Sequence, residues 1–278
     1  MQPLVSIVLP VIEPHRRYFR EAVESVVAQT LPDFELLLIE DPSLSSGVES
    51  LSGLSDPRIR HVVNRARTSL PEQHNLGLSM CRAPFICRFD ADDVCEQDRL
   101  ERQLAFLQAN PDVSIVSSAL RVIDEEGRTI GFRRYPVSHD EILRAFPFSN
   151  PIANSAVMFR REVYERFGGW RTDSPLPAQD YEWYSRVAIA GVRFANLVDP
   201  LVRYRLHAGS IKSTKLRETL RSTLETKRRY WSNDMGLKAR AVMFGERLLL
   251  HLPPRLVFAL FSRLRYGRLR GAQTARSE

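Results

Sequence analysis

The sequence predicts an α/β fold in which a largely parallel sheet carries helices on both faces, followed by a helical, basic C-terminal segment. Three observations lead there. Apolar runs alternate with amphipathic stretches over roughly the first 111 of 278 residues, the rhythm of β-α-β units and hence of parallel strands. After residue 112 the rhythm changes to paired strands and a mixed second half. The charge is also divided: residues 212–278 hold 16 Lys+Arg against 5 Asp+Glu, leaving 24 against 28 for residues 1–211.

In chain order, LVSIVLP (4–10) is the first strand, RRYFREAVESVVAQT (16–30) the first helix, FELLLIE (34–40) the second strand and IRHVV (59–63) another. A helix over 72–81, a strand over 84–90 and a helix over 96–110 that stops at Pro111 complete the first half. VSIVSSALRVID (113–124), the turn EEGR and GFRRYP read as an antiparallel pair. Helical patterns return at 139–146, 161–169 and 181–191, and 192–207 reads as two short strands broken at Asp199-Pro200. The chain shows neither internal repeats nor low-complexity segments.

A hydrophobic content of 44% is ordinary for a globular chain. Cys81, Cys87 and Cys95 are odd in number and lack CxxC spacing, so neither a disulfide framework nor a zinc knuckle is suggested and a reducing, cytoplasmic setting fits best. The opening MQPLVSIVLP has no basic leader ahead of its short apolar run, so no secretion is expected. The positive surplus in the tail points to an anionic partner surface rather than to a basic active site.

Ligands of open α/β sheets bind at the carboxyl ends of strands, and Asp41 and the run Asp90 to Asp93 fall there. Hard divalent cations take oxygen ligands and are commonly held by one or two carboxylates together with substrate phosphates. With alternation along an extended turn, Asp90 and Asp92 share a face and Asp93 points elsewhere. A solvated turn whose acids favour the next helix's dipole is the competing explanation.

SIVLPV (6–11), SVVAQTLPDFELLLIEDPS (25–43), HNLGL (74–78), FDADD (89–93), AQDYEWYSR (178–186) and YRLHAGSIKS (204–213) occur in this order. Together they resemble the family 2 glycosyltransferases, inverting enzymes with a GT-A type, Rossmann-like mixed sheet, over about residues 4–210. The resemblance implies a catalytic domain over 1–211, with a nucleotide-sugar half to about 111 and an acceptor half beyond it, then a basic extension over 212–278.

It implies that Asp92 ligates Mn²⁺ or Mg²⁺ bridging the diphosphate of a nucleotide-sugar donor, with Asp90 at the ribose or the ion's water shell and His207 as a further metal ligand. Arg205 would pair with phosphate oxygens, although a surface salt bridge explains it as well. Asp180 would be the general base toward a saccharide or lipid-linked saccharide acceptor, while its position before YEWYSRVAIAG also suits a helix N-cap. Asp41 would meet the base or ribose unless it only forms an Asp-Pro turn, and Pro10 and Val11 would bring backbone near the base. Trp170 either lines the acceptor side or packs in the core.

Departures from the pattern fall on the nucleotide side. Ile12-Glu13 stands in place of Tyr-Asn, with Glu13 carried as a binding candidate; Asp41-Pro42-Ser43 replaces an acid-rich loop; His74 stands where an Arg is usual; and Gln179 replaces a Glu. Altered donor preference follows more readily than lost catalysis. In the tail, Leu256, Val257, Leu260, Phe261 and Leu264 recur at helical spacing beside Arg263, Arg265, Arg268 and Arg270. This suits peripheral contact with the inner face of the cytoplasmic membrane rather than nucleic acid, or else a helix packed on the domain. A nucleotidyltransferase lacks support because no Gly-rich phosphate loop follows the first strand. A catalytically altered nucleotide-sugar-binding or membrane-associated scaffold is the alternative function.

Overall fold

The computed structural model describes residues 2–12, 15–42, 49, 51–173, 177–207, 215–233 and 235–252. Strands β1 (Val5–Val11) and β2 (Phe34–Glu40) are buried along their whole length, and β3 (Ile59–Val63) and β4 (Phe85–Arg88) extend the same parallel array in the order β3-β2-β1-β4. Central parallel strands face helices on both sides, so their sequences are continuously apolar. The exceptions are satisfied locally: the buried Glu35 accepts hydrogen bonds from Ser6 Oγ (2.7 Å), the Arg82 backbone N–H (2.8 Å) and Arg60 Nη1 (2.6 Å).

Helices α1 (Arg16–Val27) and α3 (Arg99–Ala109) are separated in the chain by α2 (Leu70–Met80). Ser69 and Glu72 form a capping box that starts α2 two residues before the expected position. Gly77 lets α2 lie close to β1, since a Cβ there would stand 2.4 Å from Val8 Cγ1.

Beyond β4 the sheet becomes mixed. β5 (Val94–Cys95), β6 (Ile115–Ile123), β7 (Thr129–Arg133), β8 (Met158–Arg160) and β9 (Phe194–Arg205) continue it as β4-β8-β6-β9-β5, with β7 paired to β6. The expected antiparallel hairpin is β6-β7. The two-residue β5 was not legible in the sequence; because it pairs with β9, α3 begins at Arg99 instead of residue 96.

The two strands expected over 192–207 are one strand with a bulge. The register of β9 on β6 jumps from Leu197 opposite Ser118 to Pro200 opposite Ala119, and the Ser118 hydroxyl accepts from the Leu201 N–H (3.4 Å). Pro200 has no N–H to donate, so the ladder absorbs it by extruding Val198 and Asp199 rather than by ending.

Helices α4 (His139–Ala145), α5 (Arg161–Phe167) and α6 (Gln179–Ile189) belong to the second half. α7 (Leu216–Tyr230) and α8 (Leu237–Leu249) follow β9. They are packed, not free: Trp231 stacks on Phe146 (centroids 5.0 Å apart) and donates to Ser185 Oγ (3.0 Å), while Lys227, wholly buried, pairs with Glu246 at 2.7 Å. Two apolar clusters cover the sheet, one holding α1 and α3 residues and the other holding α6 residues together with Trp231, Met235 and Ala239. The three cysteines are buried and unbridged.

Candidate active site

The acidic run leaves the carboxyl end of β4, beside β1, and is clamped at once by β5, whose partner is the end of β9. Between those strands the chain turns too tightly for simple alternation. Asp93 therefore does not point away, as extended spacing suggested: Asp90, Asp92 and Asp93 each bring a carboxylate oxygen within 4.8 Å of the others. Asp93 is fully buried; its Oδ1 accepts the Arg205 backbone N–H (2.9 Å), and its Oδ2 makes no well-formed hydrogen bond among the described residues, with the Ser155 hydroxyl near enough to favour the charged form. Burial, then the charges of Asp92 and Asp90, push the Asp93 carboxyl well above the usual range. A buried carboxylate oxygen without a well-formed hydrogen bond, among converging acids, is a donor set that fits a hard divalent cation.

The sheet also delivers His207. Two residues past the end of β9, its Nε2 lies 2.8 Å from Asp92 Oδ2, and that hydrogen bond raises the imidazole pKa against the opposing effect of burial. Asp90 is held from the other side by the buried Arg88 guanidinium, whose Nε donates to His74 Nε2 (3.2 Å). This fixes the Nδ1–H tautomer of His74; burial and then the Arg88 charge depress its pKa well below the ordinary value, so the ring is neutral.

Arg205 is placed differently from the phosphate contact expected of it. Its side chain is almost wholly enclosed, donating to the carbonyls of Asp92 (3.0 Å), Asp124 (3.3 Å) and Glu125 (3.1 Å) and to Glu21 Oε2 (2.5 Å), over the Tyr18 ring. With these acceptors taken up inside the protein, it braces the acidic turn. Asp41 is likewise turned inward, accepting from Asn64 Nδ2 (3.0 Å) and from the Thr68 hydroxyl (2.9 Å) and N–H. Burial raises its pKa, yet these bonds outweigh that and lower it. Pro10 and Val11 close β1 in buried positions, with the Val11 carbonyl accepting the Asp41 N–H (3.1 Å). Glu13 and Ser43 lie outside the described residues.

Asp180 stands in the first turn of α6, behind Ala178 in a left-handed conformation (φ 68°). It is not the N-cap; instead its Oδ2 accepts from Asn150 Nδ2 (3.0 Å). One turn on, Tyr184 donates to Asn154 Oδ1 (2.8 Å). The charges of both Asp90 and Asp180 act on Arg88 and on Tyr184, so the two acids share one electrostatic neighbourhood although 90 positions separate them. Trp170 belongs to the core, stacked between His74 (4.9 Å) and Trp183 (5.0 Å), and does not line an acceptor surface.

Arg88, Asn150 and Tyr184 were not singled out from sequence. The signal for Arg88 was present: one cation inside the apolar run FICRF must find a partner when buried. Nothing in sequence marked Asn150.

A family model described as glycosyl transferase family 2 matches residues 6–168. An uncharacterized glycosyltransferase of Haemophilus influenzae is 28% identical over 254 residues, covering 86% of this chain and 78% of that protein. The O-antigen biosynthesis glycosyltransferase WbnJ of Escherichia coli is 28% identical over 221 residues, 77% of this chain and 84% of WbnJ. Among solved structures, the mannosyltransferase PcManGT from Pyrobaculum calidifontis, in complex with GDP-Man and Mn²⁺, superposes with a TM-score of 0.61 at 16% identity over 100% of this chain and 77% of that one, showing a common fold.

Proposed function

Since this chain belongs to glycosyl transferase family 2 and has a GT-A type fold, we propose that it is a metal-dependent, inverting enzyme. It moves a hexose or related sugar from a nucleoside-diphosphate donor to a saccharide or lipid-linked saccharide in cell-surface polysaccharide synthesis. The carrying observation is the convergence of Asp90, Asp92 and Asp93 within 4.8 Å, in the electrostatic neighbourhood of Asp180. The similarity to an O-antigen glycosyltransferase supports the polysaccharide assignment, and the GDP-Man and Mn²⁺ bound by PcManGT support the donor and ion class.

In this reading Asp90, Asp92, Asp93 and His207 hold Mn²⁺ or Mg²⁺. When bound, the ion supplies Lewis-acid neutralisation of the charge developing on the leaving diphosphate. Arg88 keeps Asp90 turned into the cluster, and Arg205 fixes the backbone that presents Asp92 and Asp93. Pro10, Val11 and Asp41 border the nucleotide, Asp41 by ordering the Asn64 to Thr68 loop.

Asp180 takes the proton of the acceptor hydroxyl as the new O–C1 bond forms. The C1–O bond to the diphosphate breaks with its electron pair leaving on the nucleotide, and one displacement inverts the anomeric centre. Asn150 orients the Asp180 carboxylate for that transfer.

The test is a panel of UDP-, GDP- and dTDP-sugars with Mn²⁺ and oligosaccharide acceptors, read as diphosphate release and as the anomeric configuration of the product. Inverted product from one donor class is expected. Donor binding without turnover across acceptors would favour a catalytically altered binding protein instead.

A further inference from the structure

Helix α8 has two apolar faces, and only one of them is used. Ala239 and Met243 pack against the core, and Glu246 turns in the same direction to reach Lys227 Nζ. α7 and α8 lie antiparallel, since Arg217 near the start of α7 also donates to the Leu252 carbonyl (2.5 Å) just past the end of α8. On the opposite side, Leu237, Ala241, Phe244 and Leu248 follow one another at i, i+4, i+7 and i+11, a single stripe on a helix.

These are not partly covered core residues. Leu237 is 87% exposed, Phe244 63% and Leu248 53%, on a helix that is otherwise docked. Large aliphatic and aromatic side chains aligned in this way mark an interaction surface rather than scattered surface apolarity.

The charge around the stripe selects the partner. Exposed Lys238, Arg240 and Arg247 flank it, and the single carboxylate of α8, Glu246, is directed inward to Lys227. Exposed Arg228 and Arg229 add to the same sign at the end of α7, within a C-terminal segment carrying 16 Lys+Arg against 5 Asp+Glu. An apolar stripe bordered by cations, with no outward acid on its own helix, complements an anionic bilayer surface, where the side chains enter the interface and the cations meet headgroups. Among the described residues, no helix is long and apolar enough to cross a membrane.

We propose that the outer face of α8, built on Leu237, Phe244 and Leu248 with Lys238, Arg240 and Arg247 as its rim, docks the protein on an anionic phospholipid surface. The site lies upstream of the amphipathic pattern at 256–264, which is outside the described residues, and the assignment is independent of the catalytic one.

The test uses the full chain and cosedimentation with phosphatidylcholine vesicles, with and without phosphatidylglycerol. Expected is binding to the anionic vesicles alone, weakened by salt. Phe244→Ser/Leu248→Ser should lower partitioning by about tenfold or more, and Arg240→Gln/Arg247→Gln should lower it on anionic vesicles, with thermal midpoints unchanged in both. Wild-type partitioning by the Phe244→Ser/Leu248→Ser variant would overturn the proposal, because the lipid contact would then lie in residues 253–278. So would a wild-type dimer that this variant converts to monomer with no lipid binding in either, because the stripe would then be a contact between two copies.

Discussion

His207 Nε2 sits 2.8 Å from Asp92 Oδ2, joining the end of the longest strand to an acidic turn more than a hundred residues earlier. The contact exists because β5, which begins two residues after Asp92, pairs with the end of β9, which stops two residues before His207, at Val94 opposite Arg203. Sheet pairing thus assembles the candidate ion site, and neither segment could do so alone.

From this it follows that Asp92→Asn abolishes Mn²⁺-dependent turnover, and that His207→Ala weakens Mn²⁺ binding by about tenfold or more. Diphosphate release with added Mn²⁺ measures the first, and titration calorimetry with Mn²⁺ the second. Removing metal with EDTA should stop the wild-type reaction and adding Mn²⁺ should restore it.

His74 predicts a pH dependence of stability. Its folded pKa is depressed well below 6.5, so below about that pH the unfolded chain binds a proton that the folded chain refuses. This residue's contribution therefore falls as the solution is acidified and is restored on raising the pH. Its limiting slope is about 1.4 kcal/mol per pH unit. Urea unfolding of wild type and His74→Gln between pH 7.5 and 5.5 should give a shallower slope for the variant, whatever its absolute stability.

Lys227 predicts that the C-terminal helices are part of the folding unit. Its ammonium is wholly buried, and burial lowers its pKa despite the bond to Glu246. Glu246→Leu should cost about 3 kcal/mol by stranding that charge, and Lys227→Met/Glu246→Leu should recover most of the loss. Chemical denaturation of the two variants reads the difference.

Much of this architecture was legible in the sequence. The β-α-β rhythm located β1 to β4, and β1, β2 and β4 stand out most because strands buried on both faces are largely apolar. Asp90, Asp92 and Asp180 could be picked out as candidates because their neighbourhoods carry a recognisable order. What stayed hidden depends on long-range pairing. Arg205 reads like a solvent-facing cation, yet its partners come from Glu21, Asp92, Asp124 and Glu125. The inward turn of Asp93 depends on β5, two residues long and invisible to any periodicity. Pro200 looked like a strand breaker because local rules assign it that role, while the bulge that accommodates it belongs to β6 as much as to β9.

In the proposed mechanism Asp180 accepts the acceptor's proton while the acidic turn manages the leaving group. The most direct measurement compares the turnover of wild type and Asp180→Asn at matched donor occupancy, with donor affinity determined separately. The predicted result is a fall in kcat by about 10²–10⁴ with donor affinity unchanged. An Asp180→Asn rate equal to wild type would contradict it.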